Sequence, residues 1–156
     1  MTEGRYRLGV ILGISLSILA GVSLTLTFGS GLAPARADAN AVSFPSLEEL
    51  EHYTTVERGV TREHMLTSPE ALAAIKAGQS VPVGTHVVLV DYQSGELHRY
   101  LVSQKMGSGP GDWQYQWFWP DKSIKADENT ARCYSCHSTQ QDRSFMFTFN
   151  DAVGSK

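Results

Sequence analysis

"THVVLVDYQSGELHRYLVS", Thr85 to Ser103, decides the fold. Thr85–Tyr92 is dense in β-branched residues and is bounded by Gly84 and Gly95. Such side chains lose rotamer freedom in a helix and pack well on a pleated surface. Glu96–Ser103 follows across Gln93-Ser94-Gly95, a connection short enough to demand an antiparallel hairpin. After the glycine-rich loop "KMGSGPGD", the run "WQYQWFWP" (Trp113–Pro120) alternates aromatic residues with glutamine. That period of two predicts a third strand with one wet face, ending at Pro120. "SFMFTF" (Ser144–Phe149) reads as a last apolar strand.

Upstream of the hairpin the pattern is helical. In "TSPEALAAIKAG", Ser68 is an N-cap, Pro69 takes the first helical position and Gly78 ends the helix. Leu72 and Ile75 give it a narrow buried face. "FPSLEELEHYTTVERGV" reads as an earlier helix, with Ser46 and Glu49 as a capping box and Phe44 and Leu50 as a staple. Two helices, three strands, a cysteine-bearing segment and a final strand predict an α+β domain. Its sheet is mainly antiparallel, with flanking N-terminal helices.

The chain has 156 residues, so one domain is the default. Thirteen Lys and Arg stand against 16 Asp and Glu, for a net charge of −3. No basic stripe with interleaved aromatics is present, which argues against a nucleic-acid partner. Arg5 and Arg7 precede an uncharged apolar run from Leu8 to Phe28, and Ala35-Arg36-Ala37 forms an A-x-A cleavage pattern before Asp38. Residues 1–37 read as a signal peptide and residues 38–156 as an exported, periplasmic or extracytoplasmic domain. The competing reading is an uncleaved membrane anchor, because about 20 apolar residues span a bilayer.

"RCYSCHSTQQ" (Arg132–Gln141) holds both cysteines of the chain. Cys133, Cys136 and His137 match C-x-x-C-H, the attachment motif of c-type haem. Two thiols add across the two haem vinyl groups, and the adjacent histidine then serves as axial iron ligand. One covalent haem c is therefore expected, held by Cys133 and Cys136, with His137 on the metal. A disulfide between the cysteines is the first alternative. A zinc site would need a fourth ligand, and a thioredoxin-like motif would need a preceding βαβ pattern. His52, His64, His86, His98, Met65 and Met106 are the sixth-ligand candidates, with Met106 foremost because its glycine-rich loop could swing over the haem. Met146, nine residues after His137, falls on the same side as that histidine.

Three stretches, "SPEALAAIKAGQSVPVGTHVVLV", "PGDWQYQWFWPD" and "CYSCHSTQQDRSFMFT", resemble the cytochrome P-460 family, which includes the cytochromes c′-beta. The resemblance covers about Phe44 to Phe149. It implies an antiparallel sheet with helices, a homodimer, and a five-coordinate haem with His137 proximal and the distal site open. Family members oxidise hydroxylamine or bind diatomic gases such as nitric oxide. The oxidising members carry a lysine cross-linked to the haem, and its place here is Leu89. Lys76 and Lys105 lie elsewhere and read as solvated.

The resemblance thus favours binding of nitric oxide or another small diatomic ligand. A haem oxidoreductase acting on hydroxylamine or another small nitrogen compound is the alternative. A six-coordinate electron-transfer cytochrome with a redox partner protein is the third reading. Leu89 and Phe118 are expected to line the haem pocket, and Glu96 is the nearest acid in sequence for a distal carboxylate. Arg132 is placed to pair with a haem propionate, and Trp113, Trp117 and Trp119 read as core or dimer surface.

Overall fold

Five strands form one antiparallel meander in chain order: β1 Glu51–Arg58, β2 Thr61–Thr67, β3 His86–Gln93, β4 Glu96–Lys105 and β5 Trp113–Phe118. The computed structural model describes residues 40–156; the expected signal segment, 1–37, lies outside the described residues. Three short helices complete the α+β fold: α1 Pro69–Lys76, α2 Ala131–His137 and α3 Phe149–Gly154.

Local chemistry explains the elements that match expectation. Ser68 Oγ accepts from the Ala71 N–H at 3.2 Å, Pro69 opens α1, and Gly78 stands at φ +66° after its end. Ala71, Leu72, Ala74 and Ile75 are buried. The β3–β4 hairpin turns on Ser94 and Gly95, both at positive φ. Two such central residues match the twist of the flanking strands.

Three expectations fail. The helix expected to start at Ser46 is only a 3-10 turn, Leu47–Glu49, after which β1 begins. Thr54, Thr55 and Val56 are β-branched, and Gly59 at φ +61° closes β1 onto β2, so the hairpin wins over the capping box. The strand expected at Ser144–Phe149 is instead a turn leading into α3. The glutamine face of β5 is not wet: Gln116 is buried.

Two covers explain that last result. Val88, Val90, Tyr100, Val102 and Phe118 project from one face of the sheet and pack under Val42, Phe44, Leu47 and Leu50. The extended backbone of this N-terminal strip needs partners, and the glutamines supply them. Gln114 Oε1 accepts from Ala41 N (2.9 Å), Gln104 Oε1 from Ser43 N (3.0 Å) and Gln116 Oε1 from Asn40 Nδ2 (3.0 Å). The opposite face packs Val87, Leu101, Trp113 and Tyr115 against Leu72 and Ile75 of α1 and Ala152 of α3. Phe118 therefore stands on the strip side, away from Leu89.

Phe44 meets Tyr100 and Phe118 edge-on, at 5.0 and 5.1 Å between ring centres. Phe44→Ala is expected to cost about 2 kcal/mol in urea unfolding, less than a fully buried phenylalanine because Phe44 is half-buried. An unchanged midpoint would mean that the strip does not cover the sheet.

His86, beneath the same strip, has its pKa lowered from 6.5 by burial, against the opposing pull of hydrogen bonds to Gln104 and Ser43. The folded state binds this proton less readily than the unfolded chain. The contribution is full above pH 6.5 and is lost as pH falls through the lowered folded value. His86→Gln should flatten the acid limb of stability against pH, and an unaltered limb would refute the assignment.

Candidate functional site

The helix α2 carries the cysteine motif. Cys133 and Cys136 are both free thiols; Cys133 is half-buried against the core and Cys136 is exposed. One turn on from Cys133, His137 ends the helix. The chain continues through a kinked 3-10 stretch, Ser138–Arg143, and then reverses. Ser144 and Phe145 make the reversal with φ of +53° and +62°, a region that side chains other than glycine seldom adopt. Phe145 N donates to Gln140 O at 2.8 Å and Met146 N to Arg143 O at 2.9 Å, which holds the turn.

The reversal brings the Phe145 carbonyl 2.6 Å from His137 Nδ1. A carbonyl only accepts, so Nδ1 carries the proton and donates. Nε2, on the other edge of the ring, is left with its lone pair. Burial lowers the His137 pKa and this hydrogen bond partly restores it. The imidazole is therefore neutral near pH 7, with one nitrogen oriented by a backbone acceptor, as metal-ligating histidines generally are. Tyr115 and Phe147 flank the ring at 4.6 and 5.0 Å.

His137 lines a cavity of about 520 Å³ on the helix side of the sheet, within the size range of cofactor and ligand sites. The sheet register orders its wall into rows. Met65, Leu89, Leu101 and Trp117 are successive cross-strand partners and form an apolar row. Val87, Ser103 and Tyr115 form the row beside it. Arg58, Glu63 and Asp151 are its charged lining residues, and Arg58 and Glu63 pair with each other. Two buried atoms of lining residues, Trp113 Nε1 and Tyr115 Oη, have no hydrogen-bond partner among the described residues. Orphaned polar atoms of this kind fit a site built for an occupant with acceptor atoms.

Leu89 stands in the cavity wall as expected. Phe118 does not, being on the opposite face. Met65 is a lining residue, whereas Met106 is an exposed loop residue outside the lining. None of His52, His64, His86 and His98 lines the cavity. Met146 does, from the turn rather than from a strand. Glu96 is exposed at the start of β4; the acids that reach the cavity are Glu63 and Asp151. Arg132 is exposed on α2, and Arg58 is the lining arginine.

Lys105 is buried rather than solvated. Its amine donates to the carbonyls of Gly109 and Pro110 and lies 5.6 Å from the Trp113 ring centre. Burial lowers its pKa. It anchors the glycine-rich loop. Trp113 is buried and Trp117 half-buried in the wall, while Trp119 is 38% exposed. The strand alternation around Trp113, Tyr115 and Trp117 was the available signal for a shared face; which face held the cavity was not readable.

Compared with models of known protein families and with curated proteins, the chain gives no match.

Tyr115 Oη sits buried without a partner among the described residues, and burial pushes its pKa up. In the chain with an empty cavity, Tyr115→Phe should be neutral or stabilising, because an unmet polar group is removed. A loss of about 1 kcal/mol or more in urea unfolding would show that the hydroxyl is already satisfied.

Proposed function

We propose that this is an exported mono-haem c-type cytochrome that binds nitric oxide or another small diatomic ligand. The observation that carries the reading is His137. Its Nδ1–H is held by the Phe145 carbonyl and its Nε2 has no partner among the described residues; it lines a cavity, follows the free thiol of Cys136 directly and lies one turn from that of Cys133. Cys133 and Cys136 would hold the haem covalently and His137 would be its proximal ligand. The haem, once attached, would supply an iron able to bind a small ligand. Export rests on the sequence of residues 1–37, and the family likeness and homodimer rest on the quoted motifs.

The chain's own contribution is selection by environment. Met65, Leu89 and Leu101 line the wall with apolar surface. Charged or strongly hydrogen-bonding ligands would leave polar groups unpaired there, at a cost of a few kcal/mol. Neutral diatomic ligands bear little of that cost. Among the described residues no lysine lines the cavity, which weighs against a cross-linked haem and hydroxylamine oxidation. A second reading is favoured by the thioether of Met65, a lining residue: a six-coordinate electron carrier.

The visible spectrum of the reduced, haem-loaded mature chain separates the two. A high-spin spectrum that shifts with carbon monoxide is the expected outcome. A sharp low-spin spectrum indifferent to carbon monoxide would favour the electron carrier. If Met65→Leu then made that spectrum high-spin, Met65 would be its sixth ligand. No covalent haem after expression with attachment machinery would sink both.

A further inference from the structure

The opposite end of the sheet from the cysteine motif carries a second set of imidazoles. His52 on β1 and His64 on β2 project from the same face, around Thr55. Thr55 Oγ1 lies 2.8 Å from His52 Nε2 and 2.8 Å from His64 Nδ1. One hydroxyl has one proton, so it can donate to only one of the two nitrogens and must accept from the other. Two ring nitrogens thus converge on one exposed point.

We propose that His52 and His64 form a surface site for a divalent transition-metal ion of the copper or zinc class, which takes the place between the rings now held by the Thr55 hydroxyl. The ring centres are 5.3 Å apart and inclined by 70°. Two imidazoles on one tetrahedral ion, with metal–nitrogen bonds of about 2.0 Å, place their ring centres about 5 Å apart. The pair therefore needs little backbone movement to chelate. The two strands are hydrogen-bonded neighbours, with Thr55 directly opposite His64 and His52 opposite Leu66 across a bulge, so both rings stand on paired strands rather than on a loop.

The surroundings suit a cation. His52 and Thr55 are exposed and His64 is half-buried, so an ion can enter from water. The nearby Arg62 is already paired with Glu57, Nε to Oε1 at 2.8 Å. Burial lowers the His64 pKa, and His52 and Arg62 nearby lower it further against Glu57. Tyr92 packs edge-on against His64 at 5.5 Å and limits its rotation. No group of three or more His, Cys, Asp or Glu is arranged for a metal among the described residues. The ion therefore keeps water in its remaining positions, and copper(II) should bind more tightly than zinc.

Copper(II) titration of the haem-loaded mature chain, followed by electron paramagnetic resonance, tests this. The loaded chain is used so that Cys133 and Cys136 do not compete for the ion; if no haem attaches, the double variant Cys133→Ala/Cys136→Ala serves instead, and the two readings fail separately. One equivalent of copper should bind with coupling to two nitrogens. His52→Gln and His64→Gln should each weaken it by roughly tenfold or more. Thr55→Val, which keeps both rings and suits a strand, should retain binding, as should His98→Gln. Absence of binding at micromolar copper, a single-nitrogen spectrum, or binding that survives both histidine changes would overturn the proposal. So would loss of binding in Thr55→Val with the fold intact by circular dichroism.

Discussion

The hydrogen bond from His137 Nδ1 to the Phe145 carbonyl fixes more of this structure than any other single contact. It joins the end of α2 to a residue eight positions later, which requires the chain to reverse between them. The reversal uses two consecutive left-handed residues, Ser144 and Phe145, neither of them glycine. Each such conformation costs on the order of 1 kcal/mol. Burial of Phe145 and Met146 in the core offsets that cost. The same turn delivers Phe147 against the imidazole and lets α3 begin at Phe149. Ring orientation, tautomer and the closing helix therefore depend on one strained corner.

The sheet supplies the complementary constraint. Alternate residues of a strand face opposite ways, so each of the five strands must serve two environments. On the strip side Val88, Val90, Tyr100, Val102 and Phe118 are covered by the N-terminal strip, while Gln104, Gln114 and Gln116 bond to it. On the helix side the apolar row through Leu89 and Leu101 runs next to a charged row, in which Glu63, Asp91 and Arg99 are successive partners. Asp91 is buried, and one of its oxygens lacks a partner among the described residues. Arg99 donates to the other at 3.0 Å, bonds Glu128 at 3.1 Å, and lies 3.9 Å from the Trp117 ring centre. A paired guanidinium stacked on the indole holds Trp117 in the wall from behind. The charged row thus braces the apolar one.

How much of this was legible follows from which forces act locally. The β3–β4 hairpin and α1 were readable because turn residues and caps are short-range signals. Ser46 and Glu49 have the residue types of a capping box, but Ser46 precedes only a single 3-10 turn and its hydroxyl donates to Glu48 instead of capping, because the β-branched run behind it pairs across the sheet. "SFMFTF" has the composition of a strand. Its conformation is set by the acceptor that His137 demands, and no residue type there announces a left-handed turn. Cys133, Cys136 and His137 were visible as a motif. The cavity wall was not, since it depends on register: a slip of one residue in β3 would exchange Leu89 for Val88 or Val90.

Register also bears on what the cavity accepts. Its lining includes the apolar row through Leu89, and two of its lining residues carry buried orphans, Trp113 Nε1 and Tyr115 Oη, both able to donate. An indole N–H can do nothing else. A purely apolar occupant would leave that N–H unmet, and a cationic one would set its charge against these donors and the apolar row. An occupant with a broad apolar body and acceptor atoms at its periphery answers both demands. A porphyrin with carboxylate side chains has that distribution, and a neutral diatomic ligand adds no charge to the apolar row. On the proposed reading, the thiols and the imidazole nitrogen would then serve the same site as the cavity.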